Sequence, residues 1–280
     1  IDGYQTIDFI REFDGRDARM AQTVISPTYK MKISGRERLY SPNWKVTRTG
    51  YHPIKWSIDD DADNVLSKAA SWNSLPILRY AEVLLNYAEA KAELGEMDAA
   101  VWDQTIAQLR SRAGVTPVVP DKADPYMEAY FLNTVTDKWI LECRRERSIE
   151  LYMENTRRDD LMRWRMGHKL TVEFAGIHIP ELGKPFDMNG DGKNDLCFYS
   201  KSHPKSGSNQ TGVSYVEVTA EEGDNVTTYS VNKDNCLVYI LDREWADYKY
   251  LYPVPKNALD INPNLCLLYT SPSPRDPKTS

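Results

Sequence analysis

Hydrophobic residues recur at helical spacing in the middle of the chain, in residues 75–114. In the first half of this stretch they fall every three or four positions, with Pro76 suited to the first turn of a helix and Gly95 to its end. The spacing therefore predicts one long amphipathic helix. Its apolar stripe consists of Ile77, Ala81, Leu84, Ala88 and Ala92.

A second stripe follows directly and predicts a second helix. Asp98 is a suitable N-cap and Gly114 a suitable end. Small residues on both stripes would let the two helices approach closely, so the pair is predicted to be a helical hairpin of tetratricopeptide-like character. The second stripe consists of Ala99, Trp102, Ile106, Leu109 and Ala113.

A third helix is predicted from Thr136 to about Glu154, with apolar positions at Ile140, Ile149 and Tyr152. Its charged residues lie three or four positions apart, the spacing at which side chains meet on a helix surface. We therefore expect mutual ion pairs among Arg144, Arg147 and Glu150.

The flanking segments predict loops and short strands. Residues 1–75 mix short runs with Gly, Pro, Asn and Asp, and after residue 167 the runs YVEVTA and CLVYIL are strand candidates. The predicted fold class is mainly α, with tetratricopeptide-like helical hairpins and a loop-rich region containing a few short strands. The expected division is a loop-rich ligand-side segment, a helical core, a loop and strand segment, and a tail outside the fold, over 1–75, 76–166, 167–265 and 266–280.

Composition narrows the class of protein. The chain has 280 residues and 41% hydrophobic residues, enough for a sizeable core. Its formal net charge of −6, with bases interleaved among acids, argues against a nucleic-acid partner. No apolar run is long enough to form a membrane-spanning helix. The four cysteines lack zinc-site spacing; free buried thiols are expected, and a disulfide pair remains open.

Several segments, in order, resemble the signature segments of the SusD/RagB family. They are GRDARM, TVISP, TGYHPIKW, PILRYAEVLLNYAEAKAELG, IAQLRSRAGV, RRERSIELYMENTRRDDLMRW and YLYPVPKNALDINPNL. The resemblance runs through nearly all of residues 10–265. It implies a scaffold of tetratricopeptide-like helices carrying a loop-rich ligand domain, anchored by lipid to the outer leaflet of the outer membrane at the cell surface. Family members cap a TonB-dependent β-barrel transporter (SusC-like) and pass glycans or peptides to it.

Two departures from the family limit what can be carried over. The family's N-terminal half, with its lipidated cysteine, is expected to be missing from this sequence. At the other end, CLLYTSPSPRD resembles a translated sequencing adapter, so residues 266–280 are expected to stand outside the fold.

The segment DMNGDGKND has oxygen donors at calcium-loop spacing. Gly192 stands at the expected bend, and Phe198 replaces the bidentate Glu expected at the last position. The loop is therefore either a Ca²⁺ site completed by another group or a set of Asx turns. The candidate ligands are Asp187, Asn189, Asp191, Lys193 (through its carbonyl) and Asp195.

Four large aromatic residues cluster in the loop-rich first segment: Tyr40, Trp44, Tyr51 and Trp56. Aromatic rings suit the apolar faces of sugars, and the alternative is packing within the loops. Arg36, Asn43 and Arg48 lie near enough in sequence to bond sugar hydroxyls.

A hydrolytic site has little support. Glu146 and Glu150 share a helix face, but arginines surround both, so a charged structural face is the preferred interpretation. The histidines show no metal-site spacing. The preferred function is non-catalytic capture of a glycan, an oligosaccharide or polysaccharide, and its delivery to the transporter, with no cofactor required. The alternatives are a peptide-binding member of the same family and a glycoside hydrolase.

Overall fold

The described part of the chain forms two compact units. A computed structural model describes residues 6–42, 47–61, 64–65, 70–71, 74–172, 174–219, 229–239, 244–251 and 254–262. Trp44 and Cys266 lie outside these residues. The larger unit comprises Ile1–Arg157 with Glu173–Leu241, and the smaller one comprises Arg158–Val172 with Asp242–Ser280.

Helices dominate, which confirms the predicted mainly α class with loop-rich regions. Those of the larger unit are α1 (Phe9–Glu12), α2 (Ala18–Thr23), α3 (Tyr80–Glu93), α4 (Ala99–Gln104), α5 (Ile106–Arg112), α6 (Pro125–Tyr130) and α7 (Lys138–Glu150). The helix α8 (Arg157–Arg163), two 3-10 helices (Gly167–Thr171 and Asp247–Tyr250) and α9 (Lys256–Ile261) follow.

The first predicted helix ends as expected but begins later. Gly95, at φ 70°, donates to the Ala92 carbonyl, and Glu96 donates to the Lys91 carbonyl, which is a Schellman end. The prediction that Pro76 lies in the first turn is wrong, because α3 begins at Tyr80. Ile77 therefore precedes the helix and is fully exposed instead of packing in the stripe.

The second predicted helix is interrupted. Asp98 caps α4 by accepting from the backbone N–H of Val101 at 2.8 Å, as predicted. Thr105 then departs from helical geometry, at φ −126° and ψ −94°, while its hydroxyl donates to the Val101 carbonyl at 2.6 Å. A β-branched residue that bonds back to the preceding turn favours such a break. The chain resumes as α5, which ends before Gly114 at φ 72°.

The helical core lies where α3 packs against α4, α5 and α7. Small residues on α3 allow this approach, and Leu85 and Ala88 have no exposed surface. Trp102 and Ile106, on either side of the break at Thr105, are equally buried. The interruption therefore changes the path of the chain without removing either side chain from the core.

The third predicted helix is shorter than expected and buries charge. It runs over Lys138–Glu150, and Asp137 caps it by accepting from the N–H groups of Trp139 and Ile140. Tyr152, predicted on the apolar stripe, lies beyond its end and is 39% exposed. The buried face instead combines Leu141 and Cys143 with five charged residues: Glu142, Arg144, Glu146, Arg147 and Glu150.

Arginines from distant parts of the chain pair with the three buried glutamates of α7. Arg110 of α5 binds Glu142 and Glu146, and Arg19 of α2 binds Glu146 and Glu150 at 2.6 and 2.9 Å. Two further arginines also bind the Glu150 carboxylate. They are Arg79 at 3.0 Å and Arg112 at 2.6 Å.

The cluster extends to the residues that follow α7. Glu154 accepts from Arg79 and from Lys55, at 2.7 and 2.6 Å. Burial alone raises the pKa of Glu154, but the hydrogen bonds and charges of these two cations outweigh it and leave the pKa below its usual value. The charged residues of α7 also pair with other elements: Glu150 with Arg19, Arg79 and Arg112, Arg147 with Glu89, and Arg144 with Glu93. The mutual pairs expected among Arg144, Arg147 and Glu150 stay a prediction.

A mixed five-stranded sheet forms the second core of the larger unit. Its order is β5-β9-β8-β7-β6, with β6 parallel to β7 and β7 parallel to β8. Both predicted strand segments contribute to it: residues 215–219 of YVEVTA lie in β7, and residues 236–239 of CLVYIL lie in β9. The strands are β5 (Phe174–His178), β6 (Leu196–Tyr199), β7 (Ser214–Thr219), β8 (Tyr229–Val231) and β9 (Cys236–Tyr239).

Two short antiparallel pairs precede α3. They are β1 (Lys30–Ile33) with β2 (Arg36–Leu39), and β3 (Asn64–Val65) with β4 (Ala70–Ser71). The turn between β1 and β2 places Ser34 at φ 51° and Gly35 at φ 77°, the two positive values of a tight hairpin turn.

The cysteines within the described residues are free. Cys143, Cys197 and Cys236 are all buried, which confirms the expectation of buried thiols at these three positions. Burial is also the main reason that the pKa of Cys197 lies above its usual value.

The smaller unit is organised around an aromatic pair. Trp245 and Tyr250 pack edge to face with ring centroids 4.9 Å apart, and the Tyr250 hydroxyl accepts from the backbone N–H of Gly167 at 3.0 Å. A side chain at Gly167 would collide with the Trp245 ring, so this position requires glycine.

One face of α3 and its lead-in is apolar and exposed. A groove of about 960 Å³ runs beside it, between α3 and the α4–α5 pair. A helical hairpin of tetratricopeptide-like type usually buries such a face against a neighbouring hairpin. The exposed residues are Leu75, Ile77, Leu78, Tyr80, Val83 and Tyr87.

We expect this face to bind a hydrophobic dye. Replacing Ile77 and Val83 together by Ser should reduce the fluorescence of bound anilinonaphthalene sulfonate without lowering Tm, because neither side chain is buried. Leu85→Ser is the matched control, since Leu85 is wholly buried and its loss should cost about 2–5 kcal/mol of stability. Unchanged dye fluorescence in the double variant would show that the dye binds elsewhere.

The ionic cluster on α7 generates a prediction about stability. Glu150→Gln should lower the free energy of unfolding by about 3 kcal/mol or more, because three arginines lose a buried counter-charge. Denaturant unfolding measures the change. The control is Glu96→Gln, which breaks an exposed pair with Lys91 and should cost less than about 1 kcal/mol. Equal losses in the two variants would contradict a structural role for the buried cluster.

Candidate functional site

A cleft of about 850 Å³ lies beside the parallel strands β6 and β7. Segments far apart in sequence form its walls: the chain after β2, the end of the DMNGDGKND loop, and the β7 strand with the residues before it. Its polar and aromatic lining residues are Tyr40, Ser41, Arg48, Asp195, Ser214, Tyr215 and Glu217.

Tyr40 forms one wall directly after β2. Its backbone N–H donates to the Tyr29 carbonyl at 3.0 Å, which continues the pairing of the β1–β2 hairpin. The two tyrosine rings meet edge to face with centroids 6.4 Å apart, and the Tyr29 hydroxyl donates to Asp59 at 2.6 Å. The Tyr40 ring is thus supported from behind and half-buried.

Arg48 lies in a segment that is fastened to β5. The Ile177 N–H donates to the Thr49 carbonyl at 2.8 Å. A side chain at Gly176 would meet that same carbonyl oxygen at 2.1 Å, so only glycine permits the approach. This backbone contact therefore fixes the position of the segment that carries Arg48.

Tyr215 and Glu217 come from β7 and were not predicted as site residues. The alternation in SYVEV places them on one face of the strand, and Val218, on the other face, is buried in the second core. The Tyr215 hydroxyl accepts from the backbone N–H of Gln210 at 2.9 Å. The alternating pattern of SYVEV could have revealed both residues, because it places a tyrosine and a carboxylate on the strand face opposite the core.

The structure does not bring the four predicted aromatic residues together in this cleft. Tyr40 lines it, whereas Trp44 lies outside the described residues. Tyr51 packs against the second core, and its hydroxyl donates to Glu12 at 2.6 Å. Burial, together with the charge and hydrogen bond of Glu12, raises the pKa of Tyr51 well above its usual value.

Trp56 occupies a different environment from Tyr40. Its backbone is left-handed, at φ 72°, and its indole Nε1–H donates to the Met153 carbonyl at 3.3 Å. The Lys55 ammonium lies 5.4 Å from its ring centroid. Trp56 therefore packs where Lys55 joins the ionic cluster and does not appear among the described residues that line the cleft.

The DMNGDGKND loop is held together by its own side chains. The Asp187 carboxylate accepts from the N–H groups of Asn189, Gly190 and Gly192 at 2.9, 2.7 and 2.8 Å. Asn189 and Asp191 accept from the N–H groups two residues further on, each at 2.9 Å. These are the Asx turns that the sequence left as the alternative to calcium.

Asp195 joins this loop to the cleft. It accepts from the Met188 N–H at 3.0 Å and from the Asn189 amide at 3.3 Å. Burial raises the pKa of Asp195, and the nearby carboxylates of Asp187 and Asp191 add to the effect. Such crowding of negative charge is what a bound cation would relieve.

The oxygen donors of the DMNGDGKND loop are not arranged around a common point as they would be in a metal site. Among the residues that the structure describes, no three His, Cys, Asp or Glu side chains are placed to hold a metal ion together. Calcium binding would need the loop to draw its carboxylates inward or recruit carbonyl and amide oxygens. A calcium site at Asp187, Asn189, Asp191, Lys193 and Asp195 therefore remains a prediction.

The cleft combines two tyrosine rings with an arginine, two carboxylates and two serine hydroxyls. This set suits a ligand that has apolar faces and many hydroxyls, since rings stack on the faces and polar groups bond the hydroxyls. The carboxylates of Glu146 and Glu150 lie in the buried ionic cluster, where arginines hold them.

The fold defines a class of protein: a helical scaffold that carries a loop-lined cleft beside a small sheet. No described helix has the length and apolarity needed to cross a membrane. The chain belongs to the SusD family, which it matches over residues 2–266.

One solved structure supports the same fold. A SusD-like protein from Bacteroides fragilis superposes with a TM-score of 0.55 at 20% identity, covering 91% of this chain and 39% of that one. A second solved structure, of a selenomethionine protein, has a TM-score of 0.43 at 19% identity, covering 80% of this chain and 30% of the other. This chain thus spans less than half the length of these similar proteins. No protein with a curated description matches it.

Calcium occupancy of the loop can be tested by thermal unfolding. If the loop binds Ca²⁺, adding the ion to metal-stripped protein should raise Tm, because a ligand that binds only the folded state stabilises it. Asp191→Ala should abolish that response. Asp14→Ala, an exposed aspartate in another turn, should retain it. An identical melt with calcium and with chelator would leave the Asx turns as the whole explanation of this segment.

Proposed function

We propose that this protein captures a glycan in the cleft beside β6 and β7 and performs no chemistry on it. The supporting observation is the lining of the cleft, where Tyr40 and Tyr215 supply rings and Arg48, Asp195 and Glu217 supply hydrogen-bonding groups. Membership of the SusD family agrees with a role in nutrient uptake through glycan binding.

We further propose delivery of the glycan to a TonB-dependent, SusC-like transporter at the cell surface. Attachment to the outer membrane would be through a lipid anchor, as the family implies. Delivery to a transporter and membrane attachment are both proposed from the properties of the family. The chain covers only 39% of the SusD-like protein that it resembles in structure, so its own structure does not carry these two proposals.

The expected affinity fits a protein that must release its ligand. One aromatic contact with a ligand is worth about 0.5–1.5 kcal/mol beyond its area, and two such rings with a few hydrogen bonds suggest a Kd between roughly micromolar and millimolar. Weak retention by a preformed cleft would permit transfer onward.

The proposal that the protein does not hydrolyse glycans concerns the two glutamates that could act as a catalytic pair. Glu146 and Glu150, the pair on one helix face, are 1% and 3% exposed and bound by arginines. A carboxylate so placed can neither reach a glycosidic bond nor donate a proton to it. This pair therefore supplies neither acid nor nucleophile. If the protein captures glycans without chemistry, incubation with oligosaccharides should yield no new reducing ends.

The cleft tyrosines generate the functional prediction. Tyr215→Ala and Tyr40→Ala should each weaken retention of a polysaccharide in affinity electrophoresis by several-fold, since each removes one stacking ring. Soluble amylopectin, xylan, inulin and mannan form the panel. Trp44→Ala, at the position outside the described residues, should also weaken retention if that residue belongs to the platform.

The control for these variants is Tyr126→Ala, which removes a tyrosine that is 66% exposed on α6. Retention by this control should equal that of the wild type. Thermal protection by peptides and not by any glycan would favour the peptide-binding alternative. Retention of no polysaccharide by the wild-type protein, or equal retention by the Tyr215 and Tyr126 variants, would contradict glycan binding at the cleft.

A further inference from the structure

The segment that connects β6 to β7 is attached to the sheet through a lysine. In residues 201–212 every side chain is exposed except that of Lys205, which is half-buried. The composition, KSHPKSGSNQTG, contains no large apolar residue that could anchor it. A charged side chain thus takes the position in which a loop would ordinarily bury an apolar one.

Lys205 lies against two tyrosine rings. Its ammonium is 4.5 Å from the ring centroid of Tyr199 on β6 and 5.0 Å from that of Tyr215 on β7. The register pairs Cys197 with Tyr215 and Tyr199 with Glu217, so both tyrosines project from the same face of the parallel pair. Cation–π attraction to the two rings offsets the free-energy cost of partly removing the Lys205 ammonium from water.

Two hydrogen bonds also hold the same segment, and neither of them contacts a face of the Tyr215 ring. The Ser206 N–H donates to the Gly183 carbonyl at 2.8 Å, which fixes the middle of the segment. The Gln210 N–H donates to the Tyr215 hydroxyl at 2.9 Å, on the axis about which the ring rotates. Among the described contacts of this ring, only Lys205 acts on its face.

We propose that Lys205 is a positioning residue for the candidate cleft. It holds the Tyr215 ring at a fixed orientation, so that the ring presents a preformed surface to a sugar. Ordering the site on binding would then cost less free energy. Preorganisation of this kind increases affinity without adding contacts. The expected gain in affinity rests on the proposed glycan function. The ordering of the Tyr215 ring does not, because it can be measured in the free protein.

The first test measures the free protein. Lys205→Met keeps a long unbranched stem and removes the charge, whereas Lys205→Arg keeps a cation that can lie over aromatic rings. Aromatic ¹³C relaxation should report greater mobility of the Tyr215 ring in Lys205→Met and near wild-type order in Lys205→Arg. Lys201→Met, an exposed lysine of the same segment, should leave the ring unchanged. Unchanged ring order in Lys205→Met would overturn the proposal whether or not any glycan binds.

The second test measures affinity for the polysaccharide of the panel that the wild-type protein retains best. Lys205→Met should weaken retention by about two- to five-fold, the factor expected from loss of an exposed cation–π contact. Lys205→Arg should restore it. If Tyr215→Ala weakens retention but Lys205→Met does not, the cleft is correct and the positioning role is wrong. If Tyr215→Ala has no effect, glycan binding at this cleft itself fails.

A melting curve separates positioning from folding. The Lys205→Met protein should unfold within a few degrees of the wild type, because the Gly183 contact and the sheet remain. Loss of retention with a collapsed melt, not rescued by Lys205→Arg, would count against positioning and in favour of a purely structural lysine.

Discussion

The larger unit depends on three glutamates buried on one helix. Glu142, Glu146 and Glu150 recur every four residues along α7, so their carboxylates form a row that faces the neighbouring elements. Buried carboxylates are costly unless they are paired and hydrogen-bonded. The arginines that satisfy them come from α2, α5 and the turn before α3, and each pair therefore fixes one element against α7. Apolar packing around Leu85 and Trp102 forms the core beside these pairs, and the ion pairs link α2, α5 and the turn before α3 to α7.

The candidate cleft lies in the part of the larger unit that is outside this helical core. Backbone groups position several of the cleft segments: the Thr49 carbonyl pairs with β5, the Tyr40 N–H with the Tyr29 carbonyl, and the Gln210 N–H with the Tyr215 hydroxyl. Val218 anchors β7 in the second core. Loops supported by a rigid scaffold commonly carry binding sites. Asp195 belongs both to the loop of Asx turns and to the cleft, so a change in that loop would reach the ligand surface directly.

Local chemistry explains which features could be predicted from sequence. Asp98, Gly95 and Gly114 marked helix ends correctly, because capping depends on a few neighbouring residues. The break at Thr105 was missed, since the apolar stripe continues through it. The partners of Glu150 were missed because Arg19 lies 131 positions away in sequence, and helix spacing reveals only near neighbours. Aromatic density pointed to Tyr40 but not to Tyr215, whose position depends on the parallel pairing of β6 and β7. Tyr51 shows the converse error: it is a loop aromatic, but its ring packs against the second core and its hydroxyl donates to the half-buried Glu12.

A crystal structure with an oligosaccharide cut from the best-retained polysaccharide tests glycan capture most directly. We expect an intact ligand in the cleft, with a sugar ring stacked on Tyr40 or Tyr215 and hydroxyls bonded to Arg48, Asp195 or Glu217. A ligand bound outside the cleft, or density for a cleaved sugar, would contradict non-catalytic capture at this site.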